Sequence, residues 1–509
     1  MGADSTNKII NIRYPGTKRH FIEGKIFPDV KVGVRQVIQS PSLMEVNGEK
    51  QEITNKPINI YDTTGPYGDE NMTLSYEDGI PAIREAWTSK RKAGETQMYY
   101  AKKGIITPEM EYVAIRENMN ASLLGIDMIT PDFVRKQIAA GRAIIPASNR
   151  HPQSEPMILG KDFSVKTYTT MIYENNQVMD MPEEISTLIR ACSYGFSNLS
   201  IINRAIDKGF KNILKNVPIP LTSTPINETF YRLKGDINKL SWEAFKDVLE
   251  EHAEMGIDIL NLHADKCNSK NERISRNLSV GGAIISKWCE INNKYNFIYE
   301  HFDEICDICA KTDTVIGISS TVRASSIYDS SNRKKQREEK ILMSELVNIA
   351  NEKNVQIYVE GFGYSSIDKI QKHIDLQEEY CPGTPFNTSI PAVIDIAMPY
   401  DNTVKTIGSS IAGYMGTSLL GYDILLREIL NNENSCKKNA MSFNVSAYSA
   451  NLAKGHMDTV LRNNAFYRAK QEGRVEDLCN LSIDPVEMEK LWNLKTKDPF
   501  IIGMSTIFV

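Results

Sequence analysis

The chain has 509 residues, too many for one average domain and suited to a large barrel with extra segments at each end. A composition of 41% hydrophobic, 24% charged and 8% aromatic residues is ordinary for a globular protein, and a formal net charge of −5 gives no reason to expect nucleic acid or an anionic membrane as partner. No apolar run approaches the roughly 18 residues needed to span a bilayer. The N-terminus, MGADSTNKIINIRYPG, has no signal-peptide hydrophobic region, and Gly2 with Thr6 matches a myristoylation pattern only loosely, so the cytoplasm is expected by elimination.

Residues 1–160 read as an N-terminal α+β domain: loops, several prolines, and mixed strand and helix signals. The middle of the chain, 161–430, alternates two patterns. Short β-rich runs occur at NLSII (198–202), VPIPLTST (217–224), IDILNLHA (257–264), TVIGISST (314–321), VQIYVEGF (355–362) and AVIDIAM (392–398). Between most of them lie stretches such as WEAFKDVLEEHAEMG and KILMSELVNIANEKN, whose apolar residues recur three and four apart. Strand and helix repeated this way call for a parallel sheet, and the count favours a closed (β/α)8 TIM barrel. Sites on such barrels lie on loops after the strand ends, which places His263, Ser319 to Arg323 and Glu360 to Tyr364 where a site belongs. Residues 431–509 read as a C-terminal helical region ending in the apolar tail FIIGMSTIFV.

The eight cysteines are scattered and read as reduced, buried thiols. Cys306 and Cys309 form the only pair with ligand spacing. They lie in the helix-like HFDEICDICAK with no second CxxC, which favours packed helix cysteines over a zinc or redox pair. The mixed charge run Arg333 to Lys340 reads as a solvated helix face.

Several segments are far from generic: YDTTGPYGDE (61–70), TQMYYAKKGIITPEMEYVAIREN (96–118) and AGRAIIPASNRHPQSEPMILGKDF (140–163). Together with GGAIISKWC (281–289), NLAKGH (451–456) and the run from RNNA to NLSIDP (462–485), they make the chain resemble the thiamin pyrimidine synthase (ThiC) family over essentially its whole length. Members of that family rearrange aminoimidazole ribonucleotide into hydroxymethylpyrimidine phosphate, and close relatives make 5-hydroxybenzimidazole for cobamides. The resemblance implies an N-terminal domain, a (β/α)8 barrel and C-terminal helices in a homodimer. It further implies a 4Fe–4S cluster on a C-terminal CxxCxxxxC tail that cleaves S-adenosylmethionine, and a zinc ion held by two histidines.

Set against that pattern, the chain reads as a divergent paralogue. No cysteine follows Cys479, so the tail offers no thiolates for a cluster, an absence that a truncated sequence would also produce. Tyr364 stands where the resemblance puts one zinc histidine and Tyr448 where it puts the other, and a protonated phenol binds zinc poorly. The two tyrosines are therefore expected to pack or hydrogen-bond across a collapsed metal site. The implied substrate shell keeps His263, Ser279, Gly281, Arg323 and Glu360. It loses an arginine at Val280, an aspartate at Ser320, a methionine at Ser200 and tyrosines at Asn227 and Asn387, and an asparagine-bearing loop has become TTMIYEN (169–175). An apolar residue cannot give a phosphate the charge-assisted bonds of arginine. His263 reads equally as a satisfied core histidine, and Glu360 with Arg323 as an ion pair across the barrel mouth; His151 is expected to be structural.

A preserved scaffold around a dismantled centre implies a protein that has lost the radical S-adenosylmethionine chemistry. The first reading is a non-catalytic partner subunit, dimeric with an intact family member, with no cluster or zinc of its own and S-adenosylmethionine involved only where the partner supplies a cluster. The second is a cluster-free enzyme acting on another small polar molecule. The third is a lyase still acting on aminoimidazole ribonucleotide, or a relative of it, through a partner's cluster.

Overall fold

In the computed structural model, the described residues are 12, 14, 16–46, 49–125, 128–173, 180–207, 209–264, 266, 279–319, 324, 326–328, 330, 333–388, 391–425 and 433–495. Eight parallel strands close into a barrel, here numbered in chain order: β1 (Lys166–Ile172), β2 (Asn198–Ile202), β3 (Leu221–Ser223), β4 (Ile259–His263), β5 (Val315–Ser319), β6 (Ile357–Glu360), β7 (Phe386–Thr388) and β8 (Leu419–Leu425). Each pairs with its sequence neighbours, and β8 closes on β1 from Leu419 opposite Lys166 to Leu425 opposite Ile172. The expected (β/α)8 barrel is present.

Two strand assignments change. AVIDIAM is not a strand; β7 is the nearby Phe386–Thr388, and Ile394 and Ile396 are solvent-exposed. The run satisfies β propensity, but the barrel's seventh position is already filled by the shorter FNT. TTMIYEN, expected as a loop, contributes residues 169–172 to β1, with Tyr173 following it and 174–175 outside the described residues. Thr170 gives no apolar signal because it lines the polar interior of the barrel.

The floor of the barrel is built by the N-terminal domain. Ala143–Ile144 pairs antiparallel with Leu159–Gly160, and Ile144, Met157 and Leu159 pack on Tyr168, Ile259, Val315, Tyr358 and Leu419 at the strands' N-terminal ends. The two tyrosines fit only because glycines face them. A Cβ at Gly317 would lie 2.5 Å from the Tyr358 ring, and one at Gly421 would lie 2.4 Å from the Tyr168 ring. Next to this floor, His151 is fully buried, with Nδ1 2.7 Å from Asp258 and Nε2 3.0 Å from the Leu214 carbonyl. Asp258 also accepts from the Ser148 and Leu221 amides. His151 is thus structural, a stitch between the N-terminal domain and the barrel.

Three helices of that domain start the same way. Thr96, Thr107 and Thr130 accept from the amide three residues on, and proline follows two of them directly, at Pro108 and Pro131. The second helix, Pro108–Arg116, delivers Glu117 to a buried junction. Glu117 accepts from the Ser164 amide at 2.8 Å, from Lys166 at the start of β1, and lies 3.2 Å from Nε2 of His456 in the C-terminal region. Burial works against its charge, yet Lys166 and His456 hold its carboxyl well below the ordinary range; burial draws the Lys166 ammonium down to about 8.

The C-terminal helices Met457–Gln471 and Val475–Leu481 clasp the N-terminal sheet. Ala465, Ala469, Leu478 and Leu481 pack on Val37 and Ile58. Asp477 accepts from the Ser40 amide, and Asp458 from those of Met119 and Asn120. No helix among the described residues is long and apolar enough to cross a membrane. Cys306 and Cys309 are buried in the helix Phe302–Thr312, and burial pushes the Cys306 thiol up to about 12.

Two predictions follow from these contacts. Glu117→Gln leaves the Lys166 ammonium buried without its counter-charge and is expected to cost about 3–5 kcal/mol by urea denaturation; a loss under 1 kcal/mol contradicts the junction's role. His373, stacked on Phe362, is held by burial, with help from Lys340 and Lys369, at a pKa of about 4. Its folded value is below the unfolded one, so stability is unaffected above pH ~6.5 and is lost as pH falls toward 4. His373→Phe should remove on the order of 2–3 kcal/mol of that acid-side loss, read as the difference between the two pH–stability curves.

Candidate functional site

The C-terminal ends of the strands open into a cavity of about 210 Å³. Alternate residues of each strand point inward, so β4 sends Ile259 to the floor and Asn261 and His263 to the mouth, while β5 places Val315 below and Ser319 above. The floor is apolar and the mouth polar. This division makes the mouth the candidate site.

Two constellations occupy it. His263 is 2% exposed, and its Nε2 lies 2.7 Å from Oγ of Ser279. Ser279 also caps the helix Val280–Asn292, accepting from the Gly282 amide at 3.1 Å, and Asn296 donates to the His263 carbonyl at 2.7 Å. Gly281 closes on the imidazole: a Cβ there would lie 2.6 Å from Cε1 and 2.8 Å from Nδ1. Ser279 and Gly281, at the start of one helix, thus hold the ring that β4 delivers, while Asn296 holds its backbone. On the neighbouring strands the Ser319 hydroxyl sits between the Glu360 carboxylate, to which it donates, and Asn261 at 2.8 Å. Glu360 is 3% exposed and supplies the one carboxylate among the described residues of the wall.

Of the expected site residues, His263, Ser279, Gly281 and Glu360 therefore converge on one cavity, as do Ser200, Asn227 and Asn387. Arg323 and Ser320 lie outside the described residues. Val280 stands at the rim, 62% exposed. No lysine or arginine lines the wall among the described residues. Thr170, Thr222 and Asn261, which the sequence reading passed over, also face the cavity; their signal was a polar residue at alternate positions of a buried strand.

The expected pairing of Tyr364 with Tyr448 is overturned. Tyr364 follows β6 at the mouth, where its amide donates to the Ala324 carbonyl. Tyr448, on the helix Glu433–Ala453, lies beside Lys166 and Thr167 at the opposite end of the barrel and donates to the Thr459 carbonyl at 3.1 Å, with Arg462 over its ring. Parallel strands put all their starts at one end and all their finishes at the other, so a residue packed against strand starts cannot share a site with one following a strand finish. Among the described residues, no group of three or more His, Cys, Asp or Glu side chains is arranged to hold a metal ion.

The close approach at Gly281 makes a structural prediction. Gly281→Ala should tilt the His263 ring off Ser279, read as a changed imidazole resonance in a nitrogen-15 correlation spectrum with the fold intact. An unchanged His263 signal contradicts the packing described.

The chain matches the model of the radical SAM ThiC family over residues 96–500 and that of the ThiC-associated domain over residues 13–95. Among solved structures it is similar to a dihydropteroate synthase in complex with pteroic acid from Coxiella burnetii, at 12% identity, 60% of this chain and 99% of that one, with a TM-score of 0.33, a likeness too slight to bear on function. With its two family matches running from residue 13 to residue 500, the chain belongs to the radical SAM ThiC family and is a thiamine pyrimidine synthase-like protein.

Proposed function

We propose that this protein binds a small polar molecule in its barrel mouth but does not by itself carry out the family's radical rearrangement of a ribonucleotide. The observation that carries this reading is the charge of the wall. Among the described residues it holds one carboxylate, Glu360, and no cation, and its rim carries the exposed Val280 where the resemblance implies an arginine. A phosphorylated substrate held without cations forgoes the charge-assisted bonds that usually fix a phosphate. The scaffold nonetheless holds His263 and Ser319 in place, an arrangement that a merely decaying site does not need.

A second element of the proposal is pairing with an intact family member, which would supply the cluster. It is favoured by an exposed apolar patch beyond β5 and β7. Ile396 and Tyr400 are 95% and 70% exposed, and the Ile327 amide bonded to Asp395 at 3.0 Å ties their segment to the one that follows β5. Apolar surface of this kind, left open on one face, marks a place for another protein. The C-terminal helices do not argue for a partner, because they already hold the N-terminal sheet of their own chain.

The test is anaerobic incubation with S-adenosylmethionine, iron, sulfide and aminoimidazole ribonucleotide. The chain alone is expected to release no 5′-deoxyadenosine and to form no product; turnover by the chain alone overturns the proposal. In native mass spectrometry of chains co-expressed with an intact family member, heterodimers are expected and should be lost in Ile396→Asp. Two separate homodimers would contradict the pairing while leaving the reading of the mouth in place.

A further inference from the structure

We infer that the mouth takes a planar nitrogen heterocycle of nucleobase size, read along two opposite edges by the carboxamides of Asn227 and Asn387; this rests on the reading of the mouth as a polar small-molecule site.

The first support is two unsatisfied groups. Asn387 is 4% exposed, yet its Oδ1 has no hydrogen-bond partner among the described residues, and Oδ1 of Asn227 is likewise buried without one. Both residues line the cavity. Buried polar atoms are nearly always paired, because leaving one unpaired forfeits its bonds to water with nothing in return. The hydroxyls nearby are met: Ser319 bonds Glu360, Ser279 bonds Nε2 of His263, and Thr222 donates to Asn198 at 3.1 Å. Among the described residues of the wall, Oδ1 of each asparagine is therefore a buried acceptor with no partner.

The second support is where they stand. Asn387 is on β7, and Asn227 is in the first turn of the helix Pro225–Arg232 that leaves β3. In a closed ring of eight strands, β3 and β7 are four positions apart in either direction, so the carboxamides approach the mouth from opposite walls. A carboxamide donates from one atom and accepts at the other. It therefore complements a ligand edge with an adjacent N–H and C=O, or an adjacent N–H and ring nitrogen. Two of them facing across a cavity suit a flat ring with such an edge on each side.

The third support is size. About 210 Å³ falls below the roughly 300–1,000 Å³ of ordinary ligand pockets, which suits one small ring system and leaves little room for a ribose phosphate. The lack of a cation on the described wall agrees with an unphosphorylated ligand.

Calorimetry on the full chain tests this with hypoxanthine, which has a lactam edge opposite an imidazole edge. Indole serves as a planar control with one donor, and inosine 5′-monophosphate as a phosphorylated comparator. The wild type is expected to bind hypoxanthine more tightly than either. Asn387→Leu, of similar size, should weaken hypoxanthine at least about ten-fold and, by removing an unpaired buried polar group, raise the melting temperature of the ligand-free protein by about 2 °C. Asn227→Ala should weaken hypoxanthine in the same direction. Hypoxanthine binding unchanged in both variants overturns the role of the carboxamides and leaves the polar mouth standing. A preference for the nucleotide overturns the base-sized ligand alone. A lower melting temperature for Asn387→Leu identifies the residue as structural and overturns its assignment. If the wild type binds none of the three probes, the inference fails together with the reading of the mouth.

Discussion

Closing eight parallel strands into a ring leaves too little room inside for every inward side chain to be large. This chain resolves the conflict with two glycines. Gly317 and Gly421 admit the rings of Tyr358 and Tyr168, and those rings, with Ile259, Val315 and Leu419, complete an apolar floor. The polar mouth depends on it. Asn261, His263, Ser319 and Glu360 sit two or four residues beyond that floor on the same strands, so their positions are set by how the floor packs. A side chain added at either glycine would displace a tyrosine of that floor.

The segments at the two ends of the chain make one clamp around the starts of the strands. His151 ties the N-terminal domain to Asp258 below β4, and Glu117 gathers Ser164, Lys166 and His456 from the barrel entry and the C-terminal helices. Burying so many charges is costly unless every one is met, and at Glu117 the partners come from two distant parts of the sequence, residues 164–166 and His456. That accounts physically for why SNRHPQ, NLAKGH and the RNNA to NLSIDP run keep the family's character. They hold the barrel from beneath and need no chemistry at the mouth to justify them. Pairing with an intact relative then rests on the apolar face around Ile396 rather than on these segments.

The barrel was legible in the sequence because its strands are short apolar runs between helices with three- and four-residue spacing. It was least legible where that signal failed. KTYTTMI reads as polar because Lys166 meets Glu117, Thr167 bonds Asn444 on a surrounding helix and Thr170 lines the mouth, whereas AVIDIAM reads as a strand yet exposes Ile394 and Ile396. Within the site, His263, Ser279, Gly281 and Glu360 were placed by strand-end position and by family motif, and they do meet. The purpose of Gly281 was not visible, since a glycine's use as a seat for an imidazole is a fact of distance. The pairing of Tyr364 with Tyr448 failed for a related reason: linear order does not say which end of the barrel a helix returns to. Asn227 and Asn387 stood out in the sequence as losses, and only the closed ring shows them to be opposed.

We propose that a ThiC-family barrel has kept its mouth as a binding site without the family's grip on a phosphorylated substrate. The most direct measurement is mass spectrometry of whatever small molecule the protein releases on denaturation after anaerobic purification, with iron determined on the same sample. The account predicts an unphosphorylated nitrogen heterocycle and iron far below one atom per chain. A stoichiometric ribonucleotide released together with about four irons would contradict it.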